Sequence, residues 1–201
     1  TAAELRTYLR ETATGLPDTE ADDLIAEARQ YIEDQCGIAM ITQSWLMAID
    51  RWPTQNEPWW DGVRQAHISV ITGGATRSSV SLPRFPLQAV DGVNVYDEDG
   101  TATAVVVATS FDVDTRRLPG RLTLKSSATW PDATRANNAI EISYTSGYGN
   151  AATDVPAPVK RSVKQMAAYL YQHRGDGCDA SAAFMDSGAA SLLSAYKVAR
   201  I

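Results

Sequence analysis

The chain has 201 residues, 44% hydrophobic and 21% charged, which is a globular balance and length enough for one substantial domain or two small ones. No apolar run approaches the roughly 20 residues that span a bilayer, and the opening residues do not read as a signal peptide. The net charge of −6 sits entirely in residues 1–36, with nine acids against three arginines, and argues against a nucleic-acid binder, which needs a basic face.

Residues 2–12 read as a short helix with Leu5, Tyr8 and Leu9 on one side, ended by Gly15, Leu16 and Pro17. Thr19 then looks like an N-cap, with Asp22 three residues on, and a second helix is expected to run to about Cys36 before Gly37 stops it. At about 100° per residue, Ala21, Leu24, Ile25, Ala28 and Ile32 share one face. Glu20, Asp23, Glu27 and Asp34 form a stripe beside it, which is either a solvated helix face or a surface for a partner. Residues 41–52 alternate as a strand, with Trp45, Met47 and Ile49 on one side.

A turn-rich stretch, TQNEPWWDG, carries Trp59 and Trp60, and HISVITGGATRSSVSL after it reads as a hairpin turning near Gly73–Gly74. The paired tryptophans fit a small satellite core or a patch for a partner. Strand signals then recur at short intervals: VSLPRF, QAVDGVNVYD, ATAVVVA, SFDVD, RLTLK and AIEISYT. Close-spaced strands without helices between them predict antiparallel sheets.

Residues 139–174 mark the change back to helix. Ile140, Ile142 and Tyr144 alternate on one strand face, and Gly147 and Gly149 break the strand. Asp154 occupies an N-cap position, Pro156 and Pro158 suit a first turn, and Val159, Val163, Met166, Ala167 and Leu170 line one face of a long helix. Lys160, Arg161 and Lys164 lie at its start, the end where the helix dipole disfavours cations by up to about 1 kcal/mol, so either solvent or an acidic surface must offset them. Residues 180–201 are rich in alanine, with Leu192, Leu193, Tyr196, Val198 and Ile201 among their few larger apolar groups. They read as a segment that docks onto something else or frays.

The residues offer little for catalysis. His67 and His173 keep no company with a nucleophile, no G-x-S-x-G, H-E-x-x-H or phosphate-loop motif is present, and no cofactor is implied. Cys36 and Cys178 lack metal-ligand spacing and read as free thiols of a protein made in the cytosol. Asp97, Glu98 and Asp99 fit a solvated hairpin tip better than a calcium loop. Asp112 and Asp114 alternate on one strand face, and only they hint at paired carboxylates for a hydrolase.

The order and spacing of ITQSW near residue 41, LPRFPLQAV near 82, VYDEDG near 95, FDVD, PGRL, the Trp130–Pro131 pair, GYG, VPAPVK and YLYQHR carry a resemblance. Together they resemble the bacteriophage head–tail connector (adaptor) proteins, a family also found in gene transfer agents. The resemblance implies an α+β fold: a helical bundle from residues 1–38 and 154–201, and an antiparallel β-sandwich or barrel-like middle over 39–153. Residues 54–79 depart from the family pattern and look like an inserted loop and hairpin. The implied role is non-enzymatic: a ring of about twelve subunits in the virion neck, with a portal protein above and a stopper or tail protein below. DNA would pass through without being specifically bound, and no membrane, metal or cofactor is involved. In such a ring the acidic stripe (Glu20, Asp23, Glu27, Asp34) of one subunit is expected to face Lys160, Arg161 and Lys164 of the next, and residues from about 186 onward are expected to dock on the portal. The rival reading is a β-sandwich virion module that binds a glycan or protein through Trp59 and Trp60.

Overall fold

The computed structural model describes residues 1–53, 79–174 and 179–197. The chain divides into two compact units: Thr1–Thr42 with Gly147–Ile201, and Gln43–Ser146.

The first unit is helical. Helix α1 (Ala2–Leu9) is capped by the Thr1 hydroxyl, which accepts from the Glu4 N–H. It ends at Arg10, which takes the left-handed conformation (φ 61°), well before the expected stop at Gly15. Helix α2 (Asp18–Cys36) starts directly after Pro17, and no side chain caps it, so Thr19 lies inside the first turn rather than at the cap. Gly37 ends it as expected, at φ 73°, where only glycine avoids strain. The same shift occurs at α4 (Ala157–Gln172). Its cap position is Pro156, while the Asp154 carboxylate instead accepts from the Ala151 N–H (3.0 Å) and closes the preceding turn. In both cases proline fixes φ at the helix boundary and the chain needs no polar cap there. Two short helices, α5 (Ala180–Asp186) and α6 (Ala189–Leu192), and a 3₁₀ turn (Ser194–Tyr196) follow.

Leu5, Leu16, Ile32, Val159 and Met166 form the centre of this unit, all essentially inaccessible. Each contributes about 1.5–3 kcal/mol by leaving water. Phe184 packs its ring against Tyr31 (5.6 Å between centroids), and Ala189 and Leu193 are fully buried. The alanine-rich end of the chain therefore supplies core to its own unit through Phe184, Ala189 and Leu193, which corrects the expectation of a coreless tail.

Among the described residues, the second unit holds two open antiparallel sheets. Strands β1 (Gln43–Ile49), β7 (Ile140–Ser146), β3 (Leu87–Tyr96) and β4 (Ala102–Val105) make one, in the order β1-β7-β3-β4. Strands β2 (Ser79–Ser81), β6 (Arg121–Leu124) and β5 (Phe111–Asp114) make the other, in the order β2-β6-β5. A helical turn, α3 (Val107–Ser110), stands where the ATAVVVA run had read as continuous strand. Ile140, Ile142 and Tyr144 are buried on one face of β7, as their alternation requires, and join Val93, Val95, Phe111 and Leu122 from both sheets in a single core. Trp45, Met47 and Ile49 pack against it from β1. Trp52 stacks on Trp130 (4.5 Å, 22°) beside Phe111, and its indole N–H donates to the Pro131 carbonyl (2.9 Å). Fold class is thus α+β, with a helical unit and open antiparallel sheets.

Candidate functional site

Several charged groups of the helical unit pair with one another. Lys164 Nζ lies 2.9 Å from the Glu4 carboxylate, so α1 supplies the acid for the second turn of α4. The hydrogen bond and charge of Lys164 hold the Glu4 carboxyl below its ordinary range. Glu20 is met by Arg174 (3.1 Å), whose guanidinium also lies over the Tyr171 ring at 4.4 Å. Arg6 pairs with Asp18 and donates from Nε to the Leu16 carbonyl (2.8 Å), fastening the link between α1 and α2. Glu33, itself buried, accepts from the Met40 N–H (2.7 Å) and secures the turn after Gly37.

This pairing sorts the charged residues singled out in the sequence. Glu20 and Lys164 have partners inside the chain. Asp23, Glu27 and Asp34 are exposed along α2, Arg161 is exposed and Lys160 half-buried on α4. The excess acid of residues 1–36 does serve the basic start of α4, but through Glu4, which the periodicity of α2 could not reveal. Of the expected docking residues, Leu193 is spent on the core, Leu192 and Tyr196 are half-buried, and Val198 and Ile201 lie outside the described residues. Trp59, Trp60, His67, Cys178 and the hairpin with Gly73–Gly74 also lie outside them, as does all but Ser79 of the 54–79 insertion.

In the β unit, Asp114 pairs with Arg121 (3.2 Å) and also accepts from the N–H groups of Arg116 and Arg117 (3.2 and 3.3 Å). Desolvation pushes its carboxyl upward, but those N–H groups and Arg121 together outweigh it and the net shift is downward. Asp112 has Lys125 at 3.9 Å. A general acid needs the opposite shift, so Asp114 is not set up as one. The Asp97 carboxylate accepts from the Thr101 N–H (2.7 Å), closing the tip of the β3–β4 hairpin. His173 caps the C-terminus of α4 and stacks on Tyr169 (3.9 Å, 17°). Among the described residues no group of three or more His, Cys, Asp or Glu side chains is placed to hold a metal ion, and no helix is long and apolar enough to cross a membrane.

No family model matches the chain, and no curated protein matches its sequence. Solved structures do match, over the whole chain. A chain in the neck of a native gene transfer agent (GTA) particle, computed with C12 symmetry, superposes with a TM-score of 0.67 at 22% identity, covering 100% of this chain and 89% of that one. The fold is that of a GTA neck chain. The neck of an empty GTA particle, computed with C6 symmetry, gives a TM-score of 0.70 at 22% identity, with 100% and 90% covered. A chain of the native GTA virion gives 0.66 at 20%, with the same two shares. The likeness to GTA neck chains thus takes in both the helical unit and the sheets, and the resemblance carried by ITQSW, LPRFPLQAV and VPAPVK holds at the level of the fold.

Proposed function

We propose that this chain is a non-enzymatic connector subunit of a virion neck, made in the host cytoplasm and assembled as a homo-oligomeric ring. Twelve subunits would seat under a portal protein, with a stopper or tail protein below and DNA passing through the channel. The observation that carries this reading is the end-to-end likeness to chains in GTA necks computed with twelvefold and sixfold symmetry. A glycan-binding module working through Trp59 and Trp60 would leave the helical unit without a task, whereas a neck subunit accounts for both units. DNA must slide through such a ring, and a net charge of −6 gives the subunit no overall attraction for phosphates. Contact with the portal falls to Leu192, Tyr196 and the residues after them, since Leu193 is committed to the core.

The test is to mix the purified chain with its cognate portal and image the product by negative stain. Rings seated on the portal are the expected result. Monomers that ignore the portal at every concentration tried, or that bind sugar stoichiometrically, would overturn the proposal.

A further inference from the structure

Three features of the helical unit meet on one face. A groove of about 340 Å³ opens between the end of α1 (Tyr8, Leu9, Arg10), the α4 side chains Gln165, Ala168, Tyr169 and Gln172, and the end of α5 at Asp186. The Gln165 side-chain oxygen is buried there, and no donor among the described residues reaches it. Buried acceptors are rarely left without a donor, so such an atom at a groove marks a place where a partner completes the bond. Among the unit's described residues, the two large exposed apolar side chains, Tyr8 (48%) and Met185 (64%), lie in the groove and beside it.

The same face is cationic. Arg161, Gln165, Ala168 and Gln172 follow one another at i, i+4, i+7 and i+11, so Arg161 extends the groove toward the start of α4. Arg10 lines its other wall. Both arginines are exposed, and neither has an ion-pair partner among the described residues. Asp186, the acid of the groove, accepts from the Tyr169 hydroxyl (3.3 Å). Elsewhere on the unit, Asp23, Glu27 and Gln30 share one exposed stripe of α2, and neither acid has an ion-pair partner among the described residues.

We infer that the groove face of one subunit receives the α2 stripe of a second copy of this chain. Asp23 and Glu27 meet Arg10 and Arg161, and the Gln30 amide is the donor nearest in the stripe for Gln165. The contact is heterologous, joining two different faces, and so it propagates around a ring instead of closing a dimer. This inference rests on the connector reading and deepens it by naming the seam. It narrows the expected bases to Arg161, with Arg10 added, because Lys164 already has Glu4 and Lys160 is half-buried.

The experiment is sedimentation of the full chain across a concentration series, with negative-stain images of the portal mixture alongside. Reversal of the bases, Arg10→Glu with Arg161→Glu, should raise the concentration needed for assembly by roughly tenfold or more, since attraction becomes repulsion at two exposed pairs. Adding Asp23→Arg and Glu27→Arg to the same chain should recover most of that loss. Gln165→Met should weaken assembly while leaving the melting temperature of the isolated subunit unchanged or higher, because it removes an acceptor that has no donor in the free chain. If wild type forms rings and the base reversal forms them equally well, the seam is elsewhere and this inference fails alone. Loss on reversal without recovery in the quadruple variant also overturns it. If wild type neither forms rings nor binds portal, the connector reading itself falls.

Discussion

Leu193 gives the sharpest test of how the end of the chain is used. It is 1% exposed and lies nine residues beyond Phe184 in a run that is otherwise mostly alanine and serine. Truncating a buried leucine to alanine costs about 2–5 kcal/mol, through lost transfer energy and the cavity left behind. With a urea slope of about 1–3 kcal/mol/M for a small unit, the unfolding midpoint of Leu193→Ala should fall by about 1–3 M. The two units can be followed separately. All five tryptophans lie between Trp45 and Trp130, within the β unit, whereas circular dichroism at the helical band reports chiefly on the helical unit. The helical transition should move and Leu193→Met should largely restore it, since that swap conserves volume. Truncation after Gly188, which removes both Ala189 and Leu193, should lower it further. Tyr196→Ala, by contrast, should leave the helical midpoint near wild type and weaken portal binding. A helical midpoint for Leu193→Ala within error of wild type would refute the packing argument.

Three further outcomes follow from particular contacts. Glu33→Ala leaves the Met40 N–H without its buried acceptor and should cost about 1–3 kcal/mol by thermal or urea unfolding. Glu4→Gln should cost about 0.2–1 kcal/mol at neutral pH, as exposed pairs do, measured from urea midpoints. Because Lys164 lowers the folded-state pKa of Glu4, this contribution is full above the unfolded carboxyl's pKa and is lost as pH falls through the folded one; the variant and wild type should converge in acid, and in molar salt. Gly147→Ala should destabilise by about 1–3 kcal/mol or more, because φ is 144° and a Cβ would lie 2.6 Å from the Thr42 amide nitrogen, backbone that cannot yield; calorimetry of the variant checks it.

Period-two and period-3.6 patterns made the core faces of β7, β1 and α2 legible, because burial of one face is a local property of the sequence. Helix starts were less so. Thr19 and Asp154 have the chemistry of caps, yet the helices begin beside Pro17 and Pro156, where the ring presets φ and the polar cap is dispensable. The end of the chain misled for another reason: alanines look thin as core, but Ala183 and Ala189 are fully buried where short helices approach closely. Long-range pairings were out of reach. Glu4 and Lys164 are 160 residues apart, and nothing in either's neighbourhood announces the other. Tyr8 shares its sequence periodicity with Leu5 and Leu9 yet is half exposed at the groove, a position that only the packing of α1 on α4 creates.

The in-chain pairing also constrains what the acid excess can do in a ring. Glu4, Asp18, Glu20 and Glu33 are engaged inside the helical unit, while, besides Asp22 and Asp34, α2 exposes Asp23 and Glu27. Those two cannot both neutralise a neighbour's arginines and repel phosphates from a channel wall, because a paired carboxylate presents little net field beyond a Debye length of about 8–10 Å. The two uses respond oppositely to salt. A seam built on exposed ion pairs loosens as salt rises, so ring formation should weaken between low and high ionic strength. A lumen lined by like charges is instead relieved by screening, and ring formation should strengthen. The sign of the salt dependence of wild-type assembly therefore decides where Asp23 and Glu27 stand, and for the seam inferred above it must be a weakening that the base-reversed variant does not share.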